Sequence, residues 1–283
     1  MNRILIILIA LPVLFTACRP KEIDINVTPQ DPKLVVFSHV IPDNVMLISL
    51  SKSFSALKPQ EETSFEDLLV GGADVKVNVN GETISFYELE YGLYASLETP
   101  TGAGASYELT AIKGNDTVTA KSIMLEQVNF QSIVPVVTKT ASDTTTSIKV
   151  KFNDITPKEN WYIINVYKKN SAAEEGSVDG VNFFANGSND LAKTVLISDN
   201  EIPGSYEETL LLDNVRHDDS IVVTLSNISE KYYNYLTLRQ EGSGNIFTSL
   251  NLEPVNHPTN VENGYGFFNT HFPDVHFYDL GEY

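Results

Sequence analysis

From residue 33 onward the chain is a succession of short apolar runs, and most of them repeat with a period of two. In Ala73-Asp-Val-Lys-Val-Asn-Val-Asn80, valines 75, 77 and 79 alternate strictly with Lys76, Asn78 and Asn80. That period buries one face of a strand and wets the other. Residues 34–40 and 45–51 are strand-like in the same way, rich in β-branched and aromatic side chains. Asn80-Gly81 is a strong hairpin signal leading into a strand over 82–89, and Gly114-Asn115 joins 107–113 to 116–122. The pattern predicts an N-terminal immunoglobulin-like antiparallel β-sandwich over residues 33–124.

The alternation softens over 123–132, ahead of Pro135 and a Ser/Thr-rich stretch at 138–147, and a domain boundary is expected there. It resumes at Ile148, Val150 and Phe152 against Lys149, Lys151 and Asn153, with further strands predicted at 161–168, 194–198, 209–212 and 220–226. Residues 170–190 are polar and rich in Gly, Ser and Asn, a loop long enough to be functional or mobile. One segment changes period: Ile228, Tyr232, Tyr235 and Leu236 fall near helical spacing, with Ser229 as a cap and Gly242 and Gly244 as a stop. Tyr232, Tyr233 and Tyr235 are read as packing this helix on a sheet, the alternative being a stacking platform. Residues 125–283 are therefore expected to form a larger β-rich domain with one substantial helix near 229–241, making the fold mainly β.

The N-terminus follows a different pattern. Arg3, an apolar run over 4–14 and Phe15-Thr16-Ala17 precede Cys18, the chain's only cysteine. This has the shape of a bacterial signal peptide spanning residues 1–17. The run is about a dozen residues against the roughly 20 needed to span a bilayer, and Pro12 interrupts it. A cysteine at the cleavage point can carry diacylglycerol on its thiol and a third acyl chain on its freed amine. At about 0.8 kcal/mol per buried methylene, two or three such chains anchor stably where one does not. Ala17 fits the bacterial lipobox, and Phe15 stands where Leu is usual. Residues 18–32, polar and bearing prolines, are expected to form a lipidated tether.

Charge narrows the partners. The formal net charge is −18, and removing residues 1–17 takes away Arg3 and no acid, leaving −19. That balance argues against nucleic acid, whose phosphates need basic patches, and leaves membrane attachment to the lipid. With one cysteine there is no intramolecular disulfide. Hydrophobic residues make up 42% of the chain, enough for folding to rest on the core.

Catalytic patterns are missing. There is no Gly-x-Ser-x-Gly, His-Glu-x-x-His, phosphate-binding loop or dinucleotide fingerprint. Ser55-Ala-Leu-Lys58 and Ser198-Asp199-Asn200 spell two penicillin-binding motifs, but Lys-Thr-Gly is lacking. His271, Asp274 and His276 have metal-ligand chemistry without a standard spacing, and a loop bearing scattered histidines is expected. Asp213-Asn214 and Asp218-Asp219 lack the spaced oxygens of a calcium loop and are read as turn residues. No enzyme, metal or cofactor is expected. Seven Phe or Tyr residues lie between Tyr265 and Tyr283. The principal reading is a closing core strand; Tyr265, Phe267 and Phe268 are the candidate interface residues if the aromatics instead form an exposed recognition edge.

Cys18 followed by Glu22-Ile-Asp-Ile25, Pro32-Lys-Leu-Val-Val36, Gly72-Ala-Asp-Val-Lys-Val77, Tyr91-Gly-Leu-Tyr94, Tyr107-Glu-Leu-Thr-Ala111 and Asn260-Val-Glu-Asn-Gly-Tyr-Gly-Phe267 together resemble the Bacteroidota outer-membrane lipoproteins grouped as domain of unknown function 4249. One departure is Phe37-Ser-His39, where that family often has a glycine-containing step. The resemblance implies an outer-membrane lipoprotein whose neighbour is a TonB-dependent β-barrel receptor, and it carries over no catalytic residues. It also makes Thr117, Thr144 and Ser220, in Asp116-Thr-Val118, Asp143-Thr-Thr145 and Asp219-Ser-Ile221, candidate O-glycosylation acceptors. The expected function is a non-catalytic accessory or binding subunit of such a receptor. The alternatives are a surface adhesin or assembly subunit, and a carbohydrate-binding or carbohydrate-active protein.

Overall fold

Among the described residues, seventeen strands carry the architecture. They are β1 (Leu34–Ile41), β2 (Val45–Lys52), β3 (Asp74–Val79), β4 (Glu82–Ser85), β5 (Tyr87–Glu90), β6 (Leu93–Ser96), β7 (Ser106–Lys113), β8 (Asp116–Ile123) and β9 (Phe130–Lys139). After these come β10 (Thr144–Asn153), β11 (Trp161–Lys169), β12 (Leu191–Ser198), β13 (Ser205–Leu211), β14 (Ser220–Ile228), β15 (Val261–Glu262), β16 (Tyr265–Phe267) and β17 (Asp274–Asp279). One turn of helix, α1 (Phe65–Leu68), precedes β3, and a longer helix, α2 (Glu230–Gly244), follows β14. This computed structural model describes residues 31–41, 45–53, 65–97, 102–139, 144–155, 157–169, 191–201, 204–244 and 258–283. The chain is mainly β, as the period-two pattern predicts.

Two five-stranded sheets form the first sandwich, in the orders β16-β1-β2-β6-β5 and β15-β8-β7-β3-β4. Its core comes from the alternating positions: Val36, Ile48, Leu50 and Tyr94 on one side meet Val75, Val77, Leu109 and Val118 on the other. The Asn80-Gly81 hairpin forms as predicted. Both residues have positive φ (51° and 98°), which a two-residue turn matching strand twist requires. Asn78 Oδ1 accepts from Gly81 N at 2.9 Å and tightens it.

The strand expected over 82–89 is in fact two strands in different sheets. The chain breaks at Phe86, which is buried and donates its N–H to Val75 O at 3.0 Å before the next residues join β6. The break is invisible in the alternation because a strand that switches sheets keeps its period. The opposite edge is closed in the same way. β15 pairs antiparallel with β8, and three residues later β16 pairs parallel with β1, Val35 facing Tyr265 and Phe37 facing Phe267. Asn263 and Gly266 turn at positive φ. A Cβ on Gly264 would sit 2.6 Å from Leu34 O, and one on Gly266 would overlap Val36 O, so the crossing admits only glycine at both points.

The second sandwich packs the sheet β13-β10-β9 against β12-β11-β14-β17. Ile148, Val150 and Phe152 face Tyr162, Ile164 and Val166, with Ile221, Val223 and Leu225 beside them. Phe152 meets Tyr162 edge-on at 5.0 Å. The Tyr162 hydroxyl donates to Asp154 Oδ1 at 2.5 Å and accepts from Ile155 N at 2.9 Å, locking the turn after β10. Burial, with Asp154 adding, pushes that hydroxyl well above the ordinary tyrosine value.

Two segments differ from expectation. β9, a strand the pattern did not predict, starts within the 123–132 stretch read as a boundary and runs on through Pro135; among the described residues it lies at the end of its sheet, where a missing N–H breaks no ladder. β17 occupies the stretch expected to be a histidine-bearing loop and pairs with β14, His276 opposite Val223. Helix α2 starts where its cap predicts: Ser229 Oγ accepts from Tyr232 N at 3.3 Å.

Candidate interaction surface

The expected attachment point, Cys18, lies outside the described residues, as does the loop 170–190. Thr117 and Thr144 are exposed near the starts of β8 and β10. Ser220 is half-buried, and the Asp219 before it is engaged, with Lys168 Nζ at 2.8 Å and the N–H of Arg216 donating to it at 2.8 Å. Two of the acids weighed as a calcium loop, Asp218 and Asp219, thus have protein partners. Asp218 pairs with Arg216 at 2.7 Å, which lowers its carboxyl below the usual range.

His276 Nε2 lies 3.0 Å from Asp274 Oδ2, but the same oxygen accepts from Phe130 N at 2.8 Å, and the Phe130 ring meets the imidazole edge-on. His271 instead shares a 2.7 Å contact with Asn269 Nδ2. No group of three metal-ligating side chains occurs among the described residues.

Of the three candidate interface aromatics, Phe267 and Phe268 are buried and Tyr265 is 40% exposed, with Lys33 Nζ 5.3 Å above its ring. Phe268 belongs to the first core. Phe267 faces outward from its sheet into an aromatic joint. Tyr232 stands 5.1 Å and Tyr235 5.4 Å from it, Tyr232 and Tyr235 stack at 6.1 Å, and Phe37 lies 6.2 Å from Tyr235. Arg239 covers the Phe37 ring at 5.4 Å. The helix tyrosines therefore pack α2 on β1 and β16, so the first sandwich and the helix share one aromatic seam. Burial pushes the Tyr232 hydroxyl up to about 12, Tyr235 adding to the shift and Arg239 opposing it.

The exposed apolar side chains concentrate elsewhere. Tyr87, Leu89, Tyr91 and Leu97 are 74%, 63%, 68% and 79% exposed, all within eleven residues. β5 ends its sheet, and among the described residues no strand pairs with its outer side. Tyr87 faces Ala95, and Ala95 faces Leu47, so Tyr87 extends a small buried cluster of Leu47 and Ala95 to the rim. Leu97 follows Ala95 by two. The register slips between Glu88 and Glu90, a bulge that leaves Leu89 outside the ladder.

This rim is held rigidly from behind. Glu88 accepts from Gly72 N at 2.9 Å and Gly92 N at 3.1 Å. Tyr94 donates to Val70 O and accepts from Ala73 N, both at 2.9 Å, while Lys113 Nζ reaches Gly71 O at 2.5 Å. A Cβ on Gly71 would overlap the Tyr91 ring, which rests against it. The alternation Tyr87-Glu-Leu-Glu-Tyr91 was readable as a strand. Nothing in that pattern signalled that Tyr87, Leu89 and Tyr91 would stand exposed.

The profile of the family described as Domain of unknown function (DUF4249) matches residues 20–271. No curated protein matches the chain. Among solved structures, the crystal structure of a DUF4785 family protein from Legionella pneumophila aligns with a TM-score of 0.24 and 10% identity, over 68% of this chain and 52% of its own. The chain thus spans about half the length of that structure, and a likeness at this score carries no argument.

Proposed function

We propose a function from this premise: the chain belongs to the DUF4249 family. It is an outer-membrane lipoprotein of the Bacteroidota type, anchored through acylated Cys18, that serves as a non-catalytic binding subunit of a TonB-dependent β-barrel receptor. The observation that carries the reading is the cysteine at position 18, directly behind Arg3, the apolar run 4–14 and Ala17. Residues 19–32 give the folded part reach. The receptor is the partner that the family resemblance implies.

What supports a binding role is the rim of the first sandwich, where rigidly backed aromatic and aliphatic side chains stand in solvent. Thr117 and Thr144, both exposed, are the favoured O-glycan acceptors, ahead of half-buried Ser220.

The test is affinity purification of the tagged full-length chain from gently solubilised membranes. Stoichiometric recovery of a TonB-dependent barrel supports the reading. Recovery of the lipoprotein alone, under conditions that preserve other receptor complexes, overturns it, and concentration-dependent self-assembly without a barrel would favour an adhesin or assembly subunit instead.

A further inference from the structure

We infer that the β5 rim, formed by Tyr87, Leu89, Tyr91 and Leu97 beside Glu88 and Glu90, is the docking surface for a protein segment whose apolar side chains are flanked by Lys or Arg. The inference rests on the reading of this chain as a binding subunit and names the surface that does the binding.

Three properties decide the kind of partner. The first is the local charge. Glu90 lies exposed between Leu89 and Tyr91, Glu88 beside it is exposed while accepting from Gly72 N and Gly92 N, and the ammonium of Lys113 is committed to Gly71 O and Gly72 O. A chain of net charge −18 that keeps acids between its most exposed apolar groups attracts a basic segment and repels an anionic lipid surface.

The second is symmetry. A second copy docking rim to rim across a two-fold axis would bring Glu88 and Glu90 against their own counterparts, which disfavours a homodimer here.

The third is the bulge at Leu89. It interrupts the ladder of a strand four residues long, so the rim is ill-suited to adding a partner strand through backbone hydrogen bonds. Recognition therefore runs through side chains, with Tyr87 and Tyr91 as the anchors of low entropy cost.

The experiment places a photo-crosslinking p-benzoylphenylalanine at Leu97 of the full-length protein in its native membrane, with the same residue at exposed Leu211 as control. The expected result is one discrete protein adduct from position 97 that position 211 does not give. Mass spectrometry should map it to an apolar segment flanked by Lys or Arg, and its yield should fall at least tenfold in the Leu89→Ser/Glu90→Lys variant. Both substituted residues are exposed, so that variant should melt within a degree or two of the parent. Adducts to a second copy, to lipid or glycan, or to an acidic segment overturn the inference, as does the absence of any discrete adduct. An adduct to a protein other than a TonB-dependent barrel sinks the receptor reading while the docking surface stands. A co-purifying barrel with no adduct does the reverse.

Discussion

Ser38 and Asn269 hold each other by two reciprocal hydrogen bonds across 231 residues of sequence: Ser38 Oγ donates to Asn269 O and accepts from Asn269 N, each at 2.7 Å. Both residues are buried. One residue on, Thr270 N donates to Ser122 Oγ at 3.0 Å, and the two hydroxyls lie 2.9 Å apart. Asn260 completes the strap. Its Nδ2 donates to Lys121 O and Phe268 O, and its Oδ1 accepts from Phe268 N, all within 2.9 Å. A late segment of the chain thus ties β1 in one sheet to β8 in the other.

Removing the Ser38 hydroxyl leaves a buried N–H and a buried C=O of Asn269 without their partner. Leaving buried polar groups unsatisfied costs about 1–3 kcal/mol each, so Ser38→Ala should destabilise by about 2–4 kcal/mol. Urea unfolding followed by tryptophan fluorescence or circular dichroism reads this as a lower midpoint at unchanged slope. A midpoint equal to the parent's would mean that the strap is not a stabilising element.

Gly266 combines a φ of +92° with a backbone approach that leaves no room for a side chain, whereas a Cβ on Gly102 meets nothing within 4 Å. Gly266→Ala should therefore cost about 3 kcal/mol or more, from strain and displacement of β16 together. Gly102→Ala should change stability by less than about 0.5 kcal/mol. Equal melting temperatures for the two variants would contradict the parallel pairing of β16 with β1.

Tyr232 gives the fold an alkaline limit. Its hydroxyl is pushed up to about 12 in the folded chain, against about 10 when unfolded. The unfolded state therefore loses this proton first. The contribution of Tyr232 is intact below pH ~10 and is lost as pH rises from there through 12. Tyr232→Phe keeps the ring contacts with Phe267 and Tyr235 and should make the decline of stability over that window shallower. Superimposable declines for parent and variant would show that Tyr232 is no better shielded than a surface tyrosine.

On the proposed function, Cys18→Ser should abolish acylation. Metabolic labelling with an alkyne fatty acid should mark the parent chain and not the variant, and the variant should leave the membrane fraction. Equal labelling would place the lipid elsewhere.

Most strands of both sandwiches were legible because one-sided burial writes itself as alternation, and hairpins such as Asn80-Gly81 need residues that tolerate positive φ. The helix announced itself through Ser229 and the change of period at Tyr232 and Tyr235. What stayed hidden was long-range or relational. The sheet switch at Phe86 preserves the alternation on both sides of it. The strand through Pro135 was not predicted, because sequence does not say which strand stands at an edge. The aromatic stretch after Asn260 suggested a closing core strand, but the strap between two sheets depends on partners more than a hundred residues away. Of the candidate interface aromatics, the pattern could not separate Tyr265, which meets solvent, from Phe267 and Phe268, which do not, because burial depends on the layers that fold over them. The β5 rim was missed for the converse reason, since an apolar strand face gives no sign that its side chains will stand exposed.

A subunit held at a membrane by lipid must carry its acyl chains on the mature polypeptide. The most direct measurement is the intact mass of the mature chain extracted from its native membrane fraction. The expected species is a polypeptide beginning at Cys18, heavier than its sequence by a diacylglycerol group, with or without a third acyl chain, beyond any O-glycan removed beforehand. A chain that starts elsewhere, or a Cys18 that reacts as a free thiol, would contradict it.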